Sequence, residues 1–251
     1  MFKFKITGSS AFKRVAEFLS GIPGDCYMFI TPDIIQIEKF YHDVSAVICM
    51  PRRSFRMYRI STEDKIYLKI SIQEISNILK EFRKGVTIVL EKEEDSNIIL
   101  IYPEDISNVT VYSVDYSTED VVEIPPEIYR VRDDEYVNTL SVKEFCSIIK
   151  SSSHVKKDSL ILDIYTNGSI GIYKTYMRST SETVLGDNIG GKYVVKSSFN
   201  ISSIVSKSMC KLQTLVSEGN IIIYSNTGQI LFVFCVGDLG LLYIILPASE
   251  Q

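Results

Sequence analysis

The sequence predicts an α+β protein of two similar domains, each with two helices packed on antiparallel sheets. Three observations support this fold class. Short runs rich in Val, Ile, Tyr and Phe dominate the chain and are bounded by Gly, Pro, Asn or Asp, which is typical of antiparallel strands. Four segments instead have helical spacing. The order helix, strands, helix, strands then occurs twice, as a tandem repeat of about 125 residues.

The four helices are expected over residues 9–20, 71–84, 141–153 and 200–212. Ser9 is a candidate N-cap of the first, and Ser141 with Glu144 forms a capping box at the third. Each segment places its large apolar residues on one face. Those residues are Phe12, Val15, Phe18 and Leu19; Ile72, Ile75, Ile78, Leu79 and Phe82; Val142, Phe145, Ile148 and Ile149; and Ile201, Ile204, Val205, Met209 and Leu212.

The repeat divides the chain into an N-terminal domain (1–117), a connector (118–133) and a C-terminal domain (134–251). The second helices match best, with "ISNIL" at residues 75–79 and "ISSIV" at residues 201–205. The connector holds "VVEIPP", an extended apolar stretch because a residue before proline avoids helical geometry. Two interpretations of this stretch remain open: it packs on its own domains, or it also helps to receive a partner peptide.

Composition narrows the class of protein. The 251 residues are 45% apolar and 23% charged, which is typical of a globular protein. No apolar run has the ~20 residues of a membrane helix, and we expect an intracellular protein with no membrane partner. The five scattered cysteines form no C-x-x-C pair, and no nucleotide-binding or hydrolase motif is present. We therefore expect no cofactor, no metal and no catalytic residue, and we assign no enzymatic role to His42.

Charge separates the helices from the rest of the chain. The helices, with two lysines just beyond the third, carry eleven basic and four acidic residues, net +7, whereas the remainder carries 16 basic and 27 acidic residues, net −11. Lys and Arg interspersed with Ser, Asn and Gln, without aromatics, suit the phosphates of duplex nucleic acid bound without sequence preference. The candidate DNA-binding residues are Lys13, Arg14, Lys80, Arg83, Lys84, Lys143, Lys150, His154, Lys156, Lys157, Lys207 and Lys211.

Local matches extend this interpretation over nearly the whole chain. "MFKFKITGSSAFKRVAEFL" is similar to the opening strand and helix of the sliding DNA clamps of the proliferating cell nuclear antigen family. "FYHDVSAVICM" resembles their central loop and following strand, "VVEIPPEIY" their connector, and "GDLGLLYIILPASEQ" their C-terminus. The resemblance implies the DNA clamp fold, with three subunits closing into a ring, most simply a homotrimer, lined by twelve helices.

The resemblance also implies subunit contacts and partners. The ring would close through edge strands at 107–115 and 171–180, and a groove would receive peptides from DNA polymerases and repair proteins. A clamp loader would open the ring, and the protein would act at replication sites, nuclear in a eukaryote and otherwise viral. The implied groove residues are Val44, Ala46, Val122, Ile124, Pro125, Ile244, Leu246 and Pro247, and the implied interface residues are Val109, Val111, Tyr112, Tyr173 and Tyr176.

Lys39, Asp43 and Leu246 depart from the family's usual groove residues, which alters the expected peptide preference. Two other functions are compatible with the sequence. One is membership of a heterotrimeric checkpoint clamp, or a clamp-derived viral transcription factor. The other is a metal-dependent nuclease whose carboxylates, Asp163 among them, lie between the halves.

Overall fold

The computed structural model describes residues 1–7, 9–41, 44–61, 65–104, 110–118, 136–152, 160–167, 169–176, 179–185, 194–201, 203–216, 219–225 and 228–247. The chain forms two compact units. The first contains Met1–Tyr41, Ala46–Ile124 and Val236–Leu242, and the second contains His42–Ser45, Pro125–Cys235 and Tyr243–Gln251. The expected connector, 118–133, lies outside the described residues except for its first position. None of the helices in these ranges has the length and apolar composition that a membrane crossing requires.

The first unit contains strands on which two helices pack. Its elements are β1 (Phe2–Ile6), α1 (Ser10–Ser20), β2 (Cys26–Ile30), β3 (Ile34–Tyr41), β4 (Val44–Pro51), a 3₁₀ turn (Arg52–Ser54), β5 (Met57–Ile60), β6 (Ile66–Ile70), α2 (Ile72–Glu81), β7 (Ile88–Lys92), β8 (Ile98–Pro103) and β9 (Tyr112–Ser117). The strand order is β4-β3-β2-β6 followed by β9-β8-β7-β1-β5. Strand β9 pairs antiparallel with β8 over Tyr112–Asp115 and with β6 only at Tyr116 and Ser117.

The second unit repeats this order of elements. It contains β10 (Tyr136–Ser141), α3 (Val142–Ser152), β11 (Leu160–Tyr165), β12 (Ile170–Tyr176), β13 (Ser179–Leu185), β14 (Val195–Ile201), α4 (Ser203–Met209), α5 (Leu212–Leu215), β15 (Asn220–Ser225), β16 (Gln229–Cys235) and, from Tyr243 onward, β17 (Leu241–Pro247). The strand orders are β13-β12-β11-β14 and β10-β15-β16-β17. By position, β13, β12, β11 and β14 are equivalent to β4, β3, β2 and β6. The predicted α+β class, with helices on antiparallel sheets, is confirmed.

Most of the apolar residues predicted to face the core from the first three helices are buried, but Ile78 and Ile148 are only half-buried. Phe12, Val15 and Leu19 of α1 and Ile72, Ile75 and Leu79 of α2 have almost no exposed surface. Val142, Phe145 and Ile149 of α3 are equally buried. Helical spacing therefore identified the residues that join each helix to its sheet.

Of the serines that precede α1, α2 and α3, two act as side-chain caps. Ser71 Oγ accepts from the backbone N–H of Glu74 at 3.3 Å, and Ser141 Oγ accepts from Glu144 N at 3.2 Å. In the predicted capping box the Ser141 hydroxyl also donates to the Glu144 carboxylate, at 2.6 Å. The cap expected from the Ser9 side chain does not form: Ser9 has helical backbone angles and no side-chain capping bond, and it is buried. Its carbonyl oxygen instead accepts from Lys13 N.

The fourth helix differs from the prediction. The segment 200–212 begins within β14, which ends at Ile201, and the helical part is divided into α4 and α5 by a turn at Cys210 and Lys211. The backbone N–H of Lys211 donates to Ser208 O at 2.9 Å, and this four-residue turn ends α4. The segment is rich in Ser and Asn, which favour caps and turns over helix interiors.

A glycine fixes the close approach at the start of β17. Gly240 has a φ of 142°, and a Cβ at this position would lie 2.0 Å from the carbonyl oxygen of Cys49. Both residues belong to the first unit. Only glycine combines this backbone angle with the space available.

Candidate nucleic-acid interface

The helices of the first unit pack side by side and present basic residues at their surface. Lys13 Nζ of α1 donates to the main-chain oxygen of Lys80 in α2 at 3.2 Å. Lys80 is itself exposed, as are Arg83 and Lys84 just beyond the end of α2, while Lys13 and Arg14 are half-exposed. Five of the predicted basic residues therefore lie on the two helices of the first unit or just beyond the end of α2.

Hydrogen bonds order the exposed face of α2. Gln73 Nε2 donates to Asn77 Oδ1 at 3.2 Å, and Lys80 Nζ donates to the same oxygen at 3.5 Å. The three residues lie one turn apart along the helix, as i, i+4 and i+7 positions do. The face opposite the core is therefore a row of hydrogen-bond donors ending in a cation.

The second unit contains an equivalent face. The pattern of buried and exposed residues in α3 and its cap, 141–150, is the same at every position as that of 71–80 in α2. Lys143 and Lys150 are exposed in α3, and Lys150 occupies the position of Lys80. Lys207 and Lys211 are exposed at α4 and the following turn, which pack against α3. His154, Lys156 and Lys157, also predicted to bind DNA, lie outside the described residues.

Three basic residues on the strands of the first unit have acidic partners, whereas Arg59 and Lys92 have no acidic group within 4.0 Å in the described ranges. Lys3 Nζ lies 2.8 Å from Glu91, Lys5 contacts Glu104, and Lys69 lies 3.0 Å from Asp25. Burial acts to raise the pKa of Glu91, but hydrogen bonds from Lys3 and Tyr102 outweigh it, and the pKa is lowered. These pairs neutralise strand cations locally.

Five basic residues on the helices, or just beyond their ends, form no such pairs in the described part of the chain. Across the described ranges, no acidic group lies within 4.0 Å of Arg83, Lys84, Lys143, Lys207 or Lys211. The predicted helix residues that are described number nine basic and four acidic, net +5. Within the described ranges, the charges of those five residues are not neutralised by an acidic partner.

Most of the predicted groove residues are either buried or lie outside the residues that the structure describes. Val44, Ala46, Ile244 and Leu246 are buried, and Pro247 is exposed. Val122, Ile124 and Pro125 lie outside the described residues, as does Asp43. Lys39 is only 7% exposed, its Nζ donates to Gly24 O, and burial lowers its pKa.

The second edge strand, predicted at 171–180, coincides with an edge only at its last two residues, which begin β13. Residues 171–176 belong to β12, which lies between β11 and β13, and β13 is the edge of the four-stranded sheet. Tyr173 is therefore on a central strand, where its hydroxyl contacts that of Tyr165. Tyr176 ends the same strand. A polar strand after an aromatic one was the missed signal, because edge strands are often polar.

The residues predicted for the first edge lie at β9. Val111, immediately before this strand, is 52% exposed, and Tyr112 is its first residue. Val109 lies outside the described residues. Tyr112 also packs on Phe82, with ring centroids 5.6 Å apart, so it joins the strand to the end of α2.

The described residues give no support to a metal centre. None of their His, Cys, Asp and Glu side chains forms a group of three or more that could hold an ion. Asp163, the carboxylate considered for a nuclease, accepts a hydrogen bond from Ser198 Oγ at 2.5 Å. This contact joins β11 to β14 within the sheet.

Comparison with known proteins identifies the architecture. No protein-family model matches the sequence, and no curated protein matches it. Among solved structures, the crystal structure of Proliferating Cellular Nuclear Antigen from Entamoeba histolytica matches with a TM-score of 0.77, over 99% of each chain and at 18% identity. At this identity the match shows the fold. The chain therefore has the fold of the proliferating cell nuclear antigen clamps, in a divergent sequence.

Proposed function

We propose that the protein is a DNA sliding clamp, a ring of identical chains that encircles duplex DNA and tethers a polymerase and repair proteins. The observation that carries the proposal is the division of charge. Helix cations without acidic partners recur in both units, whereas the strand cations Lys3, Lys5 and Lys69 are paired. A phosphate backbone supplies the missing counter-charge, and such contacts fix position without reading base sequence.

Two strand edges support assembly into a ring. Over Tyr112–Asp115, β9 pairs only with β8 within the described ranges, and β13 forms the edge of its sheet. Exposed strand edges favour pairing with another chain. Head-to-tail pairing of β9 with β13 of the next copy uses two different surfaces and closes a ring when the rotation allows it.

The same role accounts for the remaining expectations. A topological tether needs no catalytic group and no cofactor, so the proposed activity is binding. Partner peptides would dock near the central loop, connector and C-terminus, and a loader would open the ring at sites of replication, nuclear in a eukaryote and viral otherwise.

Light scattering tests the assembly directly. The purified protein should have a mass three times that of the 28.5 kDa chain. Val111→Glu should give monomers, because it places a charge beside the proposed strand pairing. Val194→Glu, at a valine that is also exposed, should leave the mass unchanged. A wild-type monomer at micromolar concentration would contradict the homotrimer and favour a member of a heterotrimeric clamp.

Retention on DNA tests the encircling role. With a loader, the protein should remain on closed circular DNA at high salt and slide off linear DNA, because topological linkage does not depend on phosphate contacts. Equal loss from both substrates would refute encirclement. Magnesium-dependent cleavage that is abolished by Asp163→Asn would instead revive the nuclease.

A further inference from the structure

A second surface of the first unit combines aromatic rings with basic residues, away from the helices. On the solvent side of β2 and β6, the rings of Phe29 and Tyr67 lie with centroids 4.6 Å apart and planes 30° from parallel. Tyr27 lies two residues before Phe29 on the same side of β2. All three residues are half-buried, and the hydroxyl of Tyr67 is itself buried.

Basic residues gather at one end of these rings. Lys65 Nζ lies 5.7 Å from the Phe29 ring centroid. The turn after β2 lies beside the arginines that follow β4, because Arg52 N donates to Asp33 O at 2.7 Å. Arg52 and Arg53 are both exposed. They belong to "PRRSFRMYRI", residues 51–60, which contains four arginines and no acid in a chain of net charge −4.

The fold itself does not require these rings. In β11, the strand equivalent to β2, the two outward positions are Ile161 and Asp163. Asp163 pairs across the sheet with Gly171 and Ser198, where Phe29 pairs with Gln36 and Tyr67. At the position of Phe29 the second unit therefore has an acid between small residues, so the fold does not require the Phe29–Tyr67 ring pair there, although Ile161 and Tyr173 keep the neighbouring position apolar.

We propose that this surface, formed by Tyr27, Phe29, Tyr67, Lys65, Arg52 and Arg53, binds single-stranded nucleic acid. Unpaired bases stack on exposed aromatic rings, and adjacent basic residues hold the phosphates. Neighbouring outward positions of a strand are about 6.8 Å apart, so Tyr27 and Phe29 offer stacking positions along one strand. Duplex DNA presents no free base faces and would use only the basic residues. The proposal is independent of the ring and of the helix faces.

Fluorescence anisotropy with labelled oligothymidylate tests the site, with oligouridylate distinguishing DNA from RNA. Phe29→Leu and Tyr67→Leu retain apolar bulk but remove the ring, and each should weaken binding at least about fivefold. Replacing Arg52 and Arg53 together by Gln should lower the slope of log affinity against log salt by about 1.4. Ile161→Ala, at the equivalent strand of the second unit, should bind as the wild type does.

Several outcomes would overturn the proposal. One is wild-type affinity in both leucine variants while their thermal unfolding shows that they are folded. Another is loss of oligothymidylate binding only when Lys80 and Lys143 are replaced by Glu, which would assign it to the helices. Equal weakening of duplex and single-strand binding by Phe29→Leu and Tyr67→Leu, or no binding of either oligonucleotide, would also refute it, the latter leaving a protein partner for this surface. None of these results affects the mass or the retention on circular DNA.

Discussion

Removing three helix cations should weaken the salt dependence of duplex binding. The variant replaces Lys80, Lys143 and Lys211 by Gln, one residue from each of three helical regions. All three are exposed, and within the described ranges none has an acidic partner within 4.0 Å. Their removal therefore breaks no ion pair of the folded protein, and stability should change little.

The size of the effect follows from counterion release. Each phosphate contact to duplex DNA contributes about 0.9 to the slope of log affinity against log salt concentration, so three contacts contribute about 2.7. Between about 50 and 200 mM salt, the wild type should lose roughly 40-fold more affinity than the variant. The figure is an upper value because it assumes that all three lysines contact phosphates together.

Anisotropy of a labelled duplex, titrated at several salt concentrations, measures this slope. The control replaces Arg59, Lys92 and Lys196 by Gln, which removes the same charge from strands. Equal slopes for the wild type and the helix variant would refute the role of the helix faces. An equal reduction in both variants would show that only net charge matters, which contradicts the proposed division.

Two further predictions concern stability. Gly240→Ala should lower the free energy of unfolding by at least about 3 kcal/mol. Alanine is strained at this φ, and its Cβ would also lie 2.0 Å from Cys49 O. Gly85→Ala, with φ +81° and no atom within 4 Å, should cost about 1 kcal/mol, and equal urea midpoints for the two would refute the packing argument. Glu91→Gln tests the Lys3 pair: hydrogen bonds outweigh burial and lower the pKa of Glu91, so its contribution is present above the unfolded pKa and is lost as pH falls through the folded value. The difference in urea midpoint between wild type and variant should shrink below about pH 4, and a difference independent of pH would contradict it.

Helical periodicity predicted the helices well where it was continuous. In α2 and α3 the apolar residues recur every three or four positions, and all of them except the half-buried Ile78 and Ile148 are buried in the structure. The same spacing misled at 200–212. Ile201 lies in a strand and Leu212 beyond a turn, yet both fit the helical pattern by position alone. Such a pattern describes which residues are buried and does not require one continuous helix.

The edge strand and the groove show a different limit. An aromatic alternating run is typical of a strand, but it does not distinguish a central strand such as β12 from an edge such as β13. Likewise Val44, Ala46 and Leu246 were assigned to a groove by resemblance, whereas in the structure they are buried. A sequence identifies apolar residues. Whether they pack inside their own chain or bind a partner peptide depends on contacts made in three dimensions.

The two units allow core requirements to be separated from surface function within one chain. The shared pattern of burial in α2 and α3 shows which positions the fold fixes: the apolar ones match in both, with Ile75 facing the core where Phe145 does. The exposed positions are free of that constraint, yet Lys80 and Lys150 carry the same charge at the same place. On the solvent side of β2 and β11 the units diverge, with Phe29 in one and Asp163 in the other. If the protein encircles duplex DNA as proposed, both units contact the same ligand, and this accounts for matching lysines at an exposed position. The proposed single-strand site needs only one unit, and Asp163 carries no ring at the position of Phe29.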